Sequence, residues 1–291
     1  KDKLIAGQAH ETYTDFIREM AIKRYALHRY HYSWAHKASS EGIAYFTPLF
    51  YRYPEDPEAY KRVEENIMIG DAVKVSAALT DATNTFNFYF PEKGALWCPI
   101  WPKYTTDCYK GQSREVVKVA EDESFVHIKS GTIIPLQLGD LSSAGGKNIE
   151  ALKNTPIDLA IHPNSKYSAK GWARYDGGDT MNMDAYTEFT FNATGANPFL
   201  GKAYLDIDIQ AEKDDSIIKN DWNQRLRSVV IYNAKVLSLG KNSKIEIKTR
   251  SGTVYKMLTV YESNNNICRF VAQFDNKGIE LRDIEHMKIS A

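Results

Sequence analysis

Near the start of the chain, apolar residues recur at helical spacing. Phe16, Met20, Leu27, Tyr30 and Trp34 stand four, seven, three and four residues apart, which keeps them on one helix face. The pattern predicts one long helix over 13–41. Thr12 or Thr14 is placed to cap it, with Asp15 and Glu19 near its positive end. Gly42 follows the last turn, where a left-handed residue ends helices. Ile43–Tyr51 is almost wholly apolar and aromatic and predicts a strand buried on both faces. Pro54 and Pro57 break the chain, and a short helix is expected through Tyr60–Ile69, ahead of Gly70. Helix, buried strand, helix is the grammar of an α/β barrel or a parallel sheet.

From Asp71 onward the period becomes two. Phe86, Phe88 and Phe90 alternate with Asn87 and Tyr89, and Pro91-Glu92-Lys93-Gly94 reads as a turn into a return strand over Ala95–Trp101. Val116–Val119, Phe125–Ile128 and Thr132–Leu136 continue the series, a small β-sandwich pattern. Ser142-Ser143-Ala144-Gly145-Gly146 reads as a linker. A second β series follows: Ile157–Ile161, Trp172–Tyr175, Tyr186–Phe191, Ala203–Ile209, Val229–Tyr232, Lys244–Thr249, Thr253–Tyr261 and Arg269–Phe274. Asp176-Gly177-Gly178 and Ser251-Gly252 are turn signals within it.

Composition adds boundaries to this picture. The 291 residues suit about two domains, and 43% hydrophobic content is enough for more than one core. Lys plus Arg equal Asp plus Glu at 37 each, so no net charge draws the chain to nucleic acid or an anionic membrane. No stretch reaches the roughly 20 apolar residues of a transmembrane segment.

Three cysteines occur, Cys98, Cys108 and Cys268. They lack the clustering of a metal site, and no metal is expected. In an oxidising compartment Cys98 and Cys108 are the natural disulfide pair; otherwise they are two separate thiols. Asn192-Ala193-Thr194 is an N-glycosylation sequon. Cysteine pair and sequon together point to the secretory pathway: lysosomal, secreted or endoplasmic reticulum.

Other candidate chemistry has a plainer structural explanation in each case. His28, His31 and His36 lie on the long helix, but two ligands sharing a face do not make a zinc site. Tyr175-Asp176-Gly177-Gly178-Asp179-Thr180, with Asp184, lacks the spacing of a calcium loop and reads as a tight turn. Trp97, Trp101, Tyr104 and Tyr109 surround the cysteine segment and suit packing, or stacking on sugar rings. Glu55, Asp56 and Glu58 sit in a polar loop between prolines, with nothing evident to raise a pKa as glycosidic-bond chemistry requires. No nucleophile elbow or phosphate loop is present.

A longer set of motifs resembles glycoside hydrolase family 31. It comprises Arg24-Tyr25-Ala26-Leu27, His31-Tyr32-Ser33-Trp34-Ala35-His36, Gly42, Thr47-Pro48-Leu49-Phe50, Tyr53-Pro54-Glu55-Asp56 and Glu65-Asn66-Ile67-Met68-Ile69-Gly70-Asp71-Ala72. Phe90-Pro91-Glu92-Lys93-Gly94 with Trp97, Gly131-Thr132-Ile133-Ile134-Pro135-Leu136-Gln137 and Tyr175-Asp176-Gly177-Gly178 follow in the family's order. The resemblance implies an α+β multidomain architecture. The last helix-strand-helix of a (β/α)8 TIM barrel (1–71) would precede two all-β sandwiches, a proximal one (72–140) and a distal one (150–291).

It also implies a retaining α-glucosidase that uses two aspartates and no cofactor, acting on an α-glucoside substrate. Both aspartates, and the family's F-x-R-x-H motif, are expected upstream. This chain then holds no catalytic residue, and its partner is the N-terminal catalytic portion of the same enzyme; His10 is out of context for the motif histidine. Thr47 stands where the family usually has arginine, and Ala77 where it has proline. The alternative is a catalytically inactive relative, serving as a structural or carbohydrate-binding component of a larger assembly.

Overall fold

A computed structural model of the chain describes residues 8–61, 63–77, 85–101, 108–118, 125–137, 152–176, 186–196, 204–214, 224–239, 242–262, 267–271 and 278–290. The linker motif at 142–146, the Gly177–Asp184 part of the turn motif, and Tyr104 lie outside these residues.

The long helix is two helices, α1 (Gln8–Ala26) and α2 (His28–Glu41). Leu27 has ψ near 2° and its N–H reaches back only to Arg24 O at 3.2 Å, a single tightened turn that divides them. α1 already runs from Gln8, so neither Thr12 nor Thr14 caps it. Nothing between Ala9 and Glu11 disfavours helix. Gly42 ends α2 as expected, at φ 69°, with its N–H on Ala38 O at 2.9 Å. Leu27, Tyr30 and Trp34 form the buried face.

The apolar run after Gly42 forms only a short strand, β1 (Phe46–Pro48), followed by a four-residue helix α3 (Leu49–Arg52). β1 pairs antiparallel with β2 (Asn66–Ile69) at a sheet edge, and Phe46 and Tyr51 are exposed. The run alternates between covered and open faces, which corrects the reading of a strand buried on both sides. Tyr60–Ile69 is likewise not a helix: 3₁₀ turns at Pro57–Tyr60 and Val63–Glu65 lead into β2. Pro57 suits the first turn of a helix but the segment is too short to propagate one.

The next strands are β3 (Val73–Ser76), β4 (Thr85–Phe90), β5 (Leu96–Trp101), β6 (Tyr109–Lys110), β7 (Ser113–Lys118) and β8 (Phe125–Lys129). The first sheet runs β1-β2-β3-β8-β5-β6, and β4 pairs with β7 in a separate ribbon. The Pro91–Gly94 turn forms, with Glu92 and Gly94 at positive φ, but β4 and β5 are not a hairpin. The turn is a corner between layers. Trp97 Nε1 donates to Pro91 O at 2.9 Å, and Phe88, Phe90, Trp97, Phe125 and Met68 fill the space between.

The remaining strands are β9 (Thr132–Leu136), β10 (Ile157–His162), β11 (Ser168–Asp176), β12 (Tyr186–Gly195), β13 (Tyr204–Asp214), β14 (Arg225–Ile231), β15 (Lys244–Thr249), β16 (Val254–Glu262), β17 (Ile267–Val271), β18 (Ile279–Glu280) and β19 (Ile284–Ser290). They form one sheet in the order β10-β9-β11-β12-β13-β19-β15-β16-β17-β14-β18. A parallel β10–β14 pairing closes it, so every described strand except β18 has a pairing partner on each side, although β9 meets β11 only at Thr132↔Lys170 and β19 covers only the first part of β13. Inside lies one apolar core, including Leu159, Tyr175, Phe189, Ile207, Ile247 and Met287. β12 and β15 show the in–out alternation this requires.

β9 and β10 are buried on both faces. Ile133 and Ile161 point into the ring core, whereas Ile134 and Ala160 pack with Leu27, Tyr30, Trp34 and Ile128 beneath α2. A Cβ on Gly171 would lie 1.9 Å from Ile133 O, so only glycine lets β11 approach β9 there.

Candidate functional site

The acidic loop is structural. Asp56 Oδ1 accepts the Glu58 N–H at 3.0 Å and its Oδ2 accepts the Tyr89 hydroxyl. Glu58 is held by Lys61 and by Arg114 Nε at 2.8 Å, and these cations lower its pKa. A carboxylate clamped this way is committed to cations and does not serve as a general acid.

Of the three helical histidines, His28 and His31 line one cavity and His36 lies apart, in a cleft beside β11 and β12. His31 stacks on Phe46 with ring centroids 5.5 Å apart, His28 lies 6.1 Å from the Tyr32 ring, and His36 faces Tyr186. Burial lowers His28 and His31 to about 4 each. Trp97 and Trp101 are buried, and Tyr109 stacks on Phe90 at 4.6 Å, so these aromatics pack and do not present an open platform. Asp176 Oδ1 accepts the Tyr32 hydroxyl at 2.6 Å, tying the start of the glycine turn to α2. In the Ile-Ile-Pro-Leu-Gln strand, Gln137 Nε2 donates to the carbonyls of Leu152 and Thr155, each at 3.0 Å. Its backbone N–H reaches Ala26 O at 2.8 Å. Thr47 is buried at the edge of the first sheet.

The motif turn Ile69-Gly70-Asp71-Ala72 is built around Tyr30. The Tyr30 hydroxyl donates to Ile69 O at 2.8 Å and accepts the Ala72 N–H at 3.1 Å. Gly70, at φ 60°, packs directly on this pair of aromatics: a Cβ there would lie 2.5 Å from both Tyr30 Oη and Trp34 Nε1.

A cleft of about 920 Å³ opens between the end of α2 and the outer face of β11 and β12. The register Lys170↔Asn192, Trp172↔Thr190 and Arg174↔Glu188 puts alternate residues of both strands on that face. His36, Lys37, Ser40 and Asp71 close the other side. The Arg174 guanidinium stacks over Tyr186 at 3.3 Å, and Lys37 sits 5.5 Å over Trp172. These are binding groups, ring faces and charged hydrogen-bond partners, of the kind that hold polar ligands. Asn192 of the sequon lines this cleft on β12, partly exposed.

Two further polar clusters go beyond the sequence reading, which offered the Cys98–Cys108 pair but neither Lys74 nor His162. Lys74 is fully buried among Phe88 and Phe90, with its ammonium 4.7 Å over the Phe90 ring and a hydrogen bond to Ser76 Oγ. Burial pulls its pKa down to about 7. His127, buried beside it, is pushed well below its ordinary value by burial and then by Lys74.

The second cluster is at sulfur. Cys98 and Cys108 form a disulfide, and His162 Nε2 lies 3.3 Å from Cys98 Sγ. Burial holds the His162 imidazole down at about 4. Cys98 on β5 and His162 at the end of β10 come from different sheets, 64 residues apart, which no local motif encodes.

Residues 42–134 match the family model described as the Glycosyl hydrolase family 31 C-terminal domain. Human neutral alpha-glucosidase AB is 26% identical over 177 residues, 61% of this chain and 18% of that protein. A DNJ-bound glucosidase II alpha subunit superposes with TM-score 0.73 at 15% identity, over 99% of this chain and 30% of that one. An ER glucosidase II heterodimeric complex, of a catalytic subunit and the binding domain of a regulatory subunit, gives 0.70 at 14% identity over 92% and 28%. The chain thus spans well under a third of the curated relative's length, and the likeness to the solved structures is one of fold.

Proposed function

Because this chain carries the C-terminal portion of a glycoside hydrolase of family 31, we propose that it is the non-catalytic end of a retaining α-glucosidase. The two catalytic aspartates then lie upstream, and the substrate is an oligosaccharide with terminal α-linked glucose. The observation that carries this reading is the match over 42–134, with its motifs in family order and the candidate carboxylates Asp56 and Glu58 engaged by Tyr89, Lys61 and Arg114. Its partner is the N-terminal catalytic portion of the same enzyme, and no cofactor takes part.

In this reading residues 1–71 complete a (β/α)8 barrel, 72–140 form the proximal sandwich and 150–291 the distal one. The ribbon-on-sheet core around Phe88 and Trp97 and the ring core around Tyr175 support two β units. Strand β9 is handed from the middle unit to the sheet of the last.

The secretory pathway is the proposed location, supported by the Cys98–Cys108 disulfide and by a solved structural neighbour described as an ER complex. No helix among the described residues is long and apolar enough to cross a membrane. Asn192 is proposed as the glycan site; a mass loss on glycosidase treatment of the secreted protein, absent in Asn192→Gln, tests it.

The function is tested by assaying p-nitrophenyl α-glucoside with this chain alone and with the complete reading frame. Turnover is expected only from the latter, and turnover by the isolated chain would overturn the proposal. One observation favours the inactive alternative: Thr47 is buried where the family carries arginine. If the complete protein is also inactive but retains oligosaccharide on a glycan array, that second reading takes over.

A further inference from the structure

The sulfur cluster has a use that neither glycoside hydrolysis nor simple cross-linking explains. The ligand atoms of Cys98, Cys108 and His162 all lie within 4.8 Å of one another. Cys98 is 1% exposed and His162 is 0% exposed, whereas Cys108 is only half-buried. His162 Nδ1 lies 3.2 Å from Ile128 O. A carbonyl oxygen only accepts, so the imidazole proton must sit on Nδ1. The Nε2 lone pair is left facing the sulfurs at 3.3 Å. An imidazole oriented by a carbonyl on one nitrogen, with its other nitrogen aimed at two cysteines, is how metal-binding histidines are held.

We propose that Cys98, Cys108 and His162 form a soft-metal site that opens when the disulfide is reduced, with Zn²⁺ as the ion it fits. Two thiolates and one neutral imidazole are a Cys₂His donor set, and they leave a fourth tetrahedral position open on the Cys108 side. Two thiolate charges balance those of a divalent ion, so the closed site is neutral overall, as its burial demands. The oxidised disulfide has no ligand to offer, and the two states exclude each other.

Opening the site requires a dithiol reductant. One reductant thiolate attacks the Cys108 sulfur, the more exposed of the pair. The S–S bond breaks, and its electron pair leaves on Cys98 sulfur, which takes a proton from solvent. The second reductant thiol attacks the mixed disulfide and departs with the first as an intramolecular disulfide, leaving Cys108 reduced. Zn²⁺ then displaces the two thiol protons into solvent as it binds.

The test uses the full chain, oxidised or reduced and freed of reductant under anaerobic conditions. Each form is titrated with Co²⁺ as a spectroscopic probe and with Zn²⁺ against a chromophoric chelator. The reduced chain is expected to take up one equivalent, with a thiolate-to-Co²⁺ charge-transfer band, and the oxidised chain none. His162→Gln, checked for folding in its disulfide form by near-ultraviolet circular dichroism, is expected to weaken binding at least tenfold. Cys108→Ala, which leaves the buried Cys98 and His162 in place, is expected to lose the band. Equal metal uptake by oxidised and reduced chains, or wild-type affinity in folded His162→Gln, would overturn the site.

Discussion

Ser33 and Arg174 are joined by one buried hydrogen bond across 141 residues of sequence: the Arg174 backbone N–H donates to Ser33 Oγ at 3.0 Å. The hydroxyl in turn donates to Arg29 O at 2.8 Å, one turn back on α2. Arg29 completes the junction, donating from Nη1 to Arg174 O at 2.9 Å with its guanidinium 4.1 Å over the Tyr175 ring. Helix α2 is thus stitched to β11 by side chains that reach main chain. Ser33→Ala removes the acceptor of the buried Arg174 N–H. It is expected to destabilise the chain by about 1–3 kcal/mol, read as a lower urea midpoint at unchanged slope.

Gly70 has no room to grow and no freedom to relax. Its φ of 60° and its place against Tyr30 and Trp34 both penalise a side chain. Gly70→Ala is expected to cost about 2–4 kcal/mol, adding backbone strain to the disruption of the Tyr30 hydroxyl bridge. Thermal unfolding of the two proteins side by side checks it; a fall in Tm of under a degree would mean that the turn adapts.

Lys74 gives a pH-dependent prediction. The unfolded chain binds a proton at this lysine below about pH 10.5, the folded chain only below about 7. Between those values the unfolded state holds more protons, so this residue makes stability rise with pH; below about 7 its full penalty applies. Lys74→Met keeps the length and drops the charge. It is expected to stabilise the chain by on the order of 3 kcal/mol at pH 6, with the gain shrinking towards pH 10. Denaturant titrations at those two pH values measure it.

What the sequence disclosed, and what it hid, follows from the range of each interaction. The face Leu27, Tyr30, Trp34 was visible because helical period is local, and so was the Gly42 cap. The break at Leu27 was not, since neither Pro nor Gly marks it. The Pro91–Gly94 turn was visible, but turn chemistry does not say whether the next strand pairs beside β4 or crosses to the opposite layer. Core positions in the second β series were legible by alternation. Ring closure by β10 and β14 was not, because strand pairing depends on partners dozens of residues away. The site suffered most. The Cys98–Cys108 pair could be suspected from spacing, whereas His162 and Lys74 acquire their chemistry only from burial and long-range neighbours.

Acid should loosen the fold through its buried imidazoles. His28, His31 and His162 each fall from 6.5 to about 4 on folding. Between those values the unfolded chain binds more protons, so stability falls as pH drops from about 6.5 towards 4. A melting temperature that stays flat across that window would contradict the neutral, buried state of these rings.

Reduction of the disulfide in metal-free buffer should also lower stability. The cross-link spans a sequence separation of 10, and chain entropy assigns a loop of that size about 2–3 kcal/mol. Denaturant midpoints with and without a phosphine reductant, in the presence of a chelator, give the value directly.

Strand β19, residues 284–290, is inserted between β13 and β15 in the middle of the closed sheet. It therefore sets a schedule. During synthesis, β13 emerges some seventy residues before its neighbour, and its open flank, paired later by Tyr204–Ile207 to Met287–Ser290, must wait. The ring cannot close until residues 284–290 are available, so a ribosome stalled short of residue 284 would hold an unclosed sheet and a ready client for chaperones.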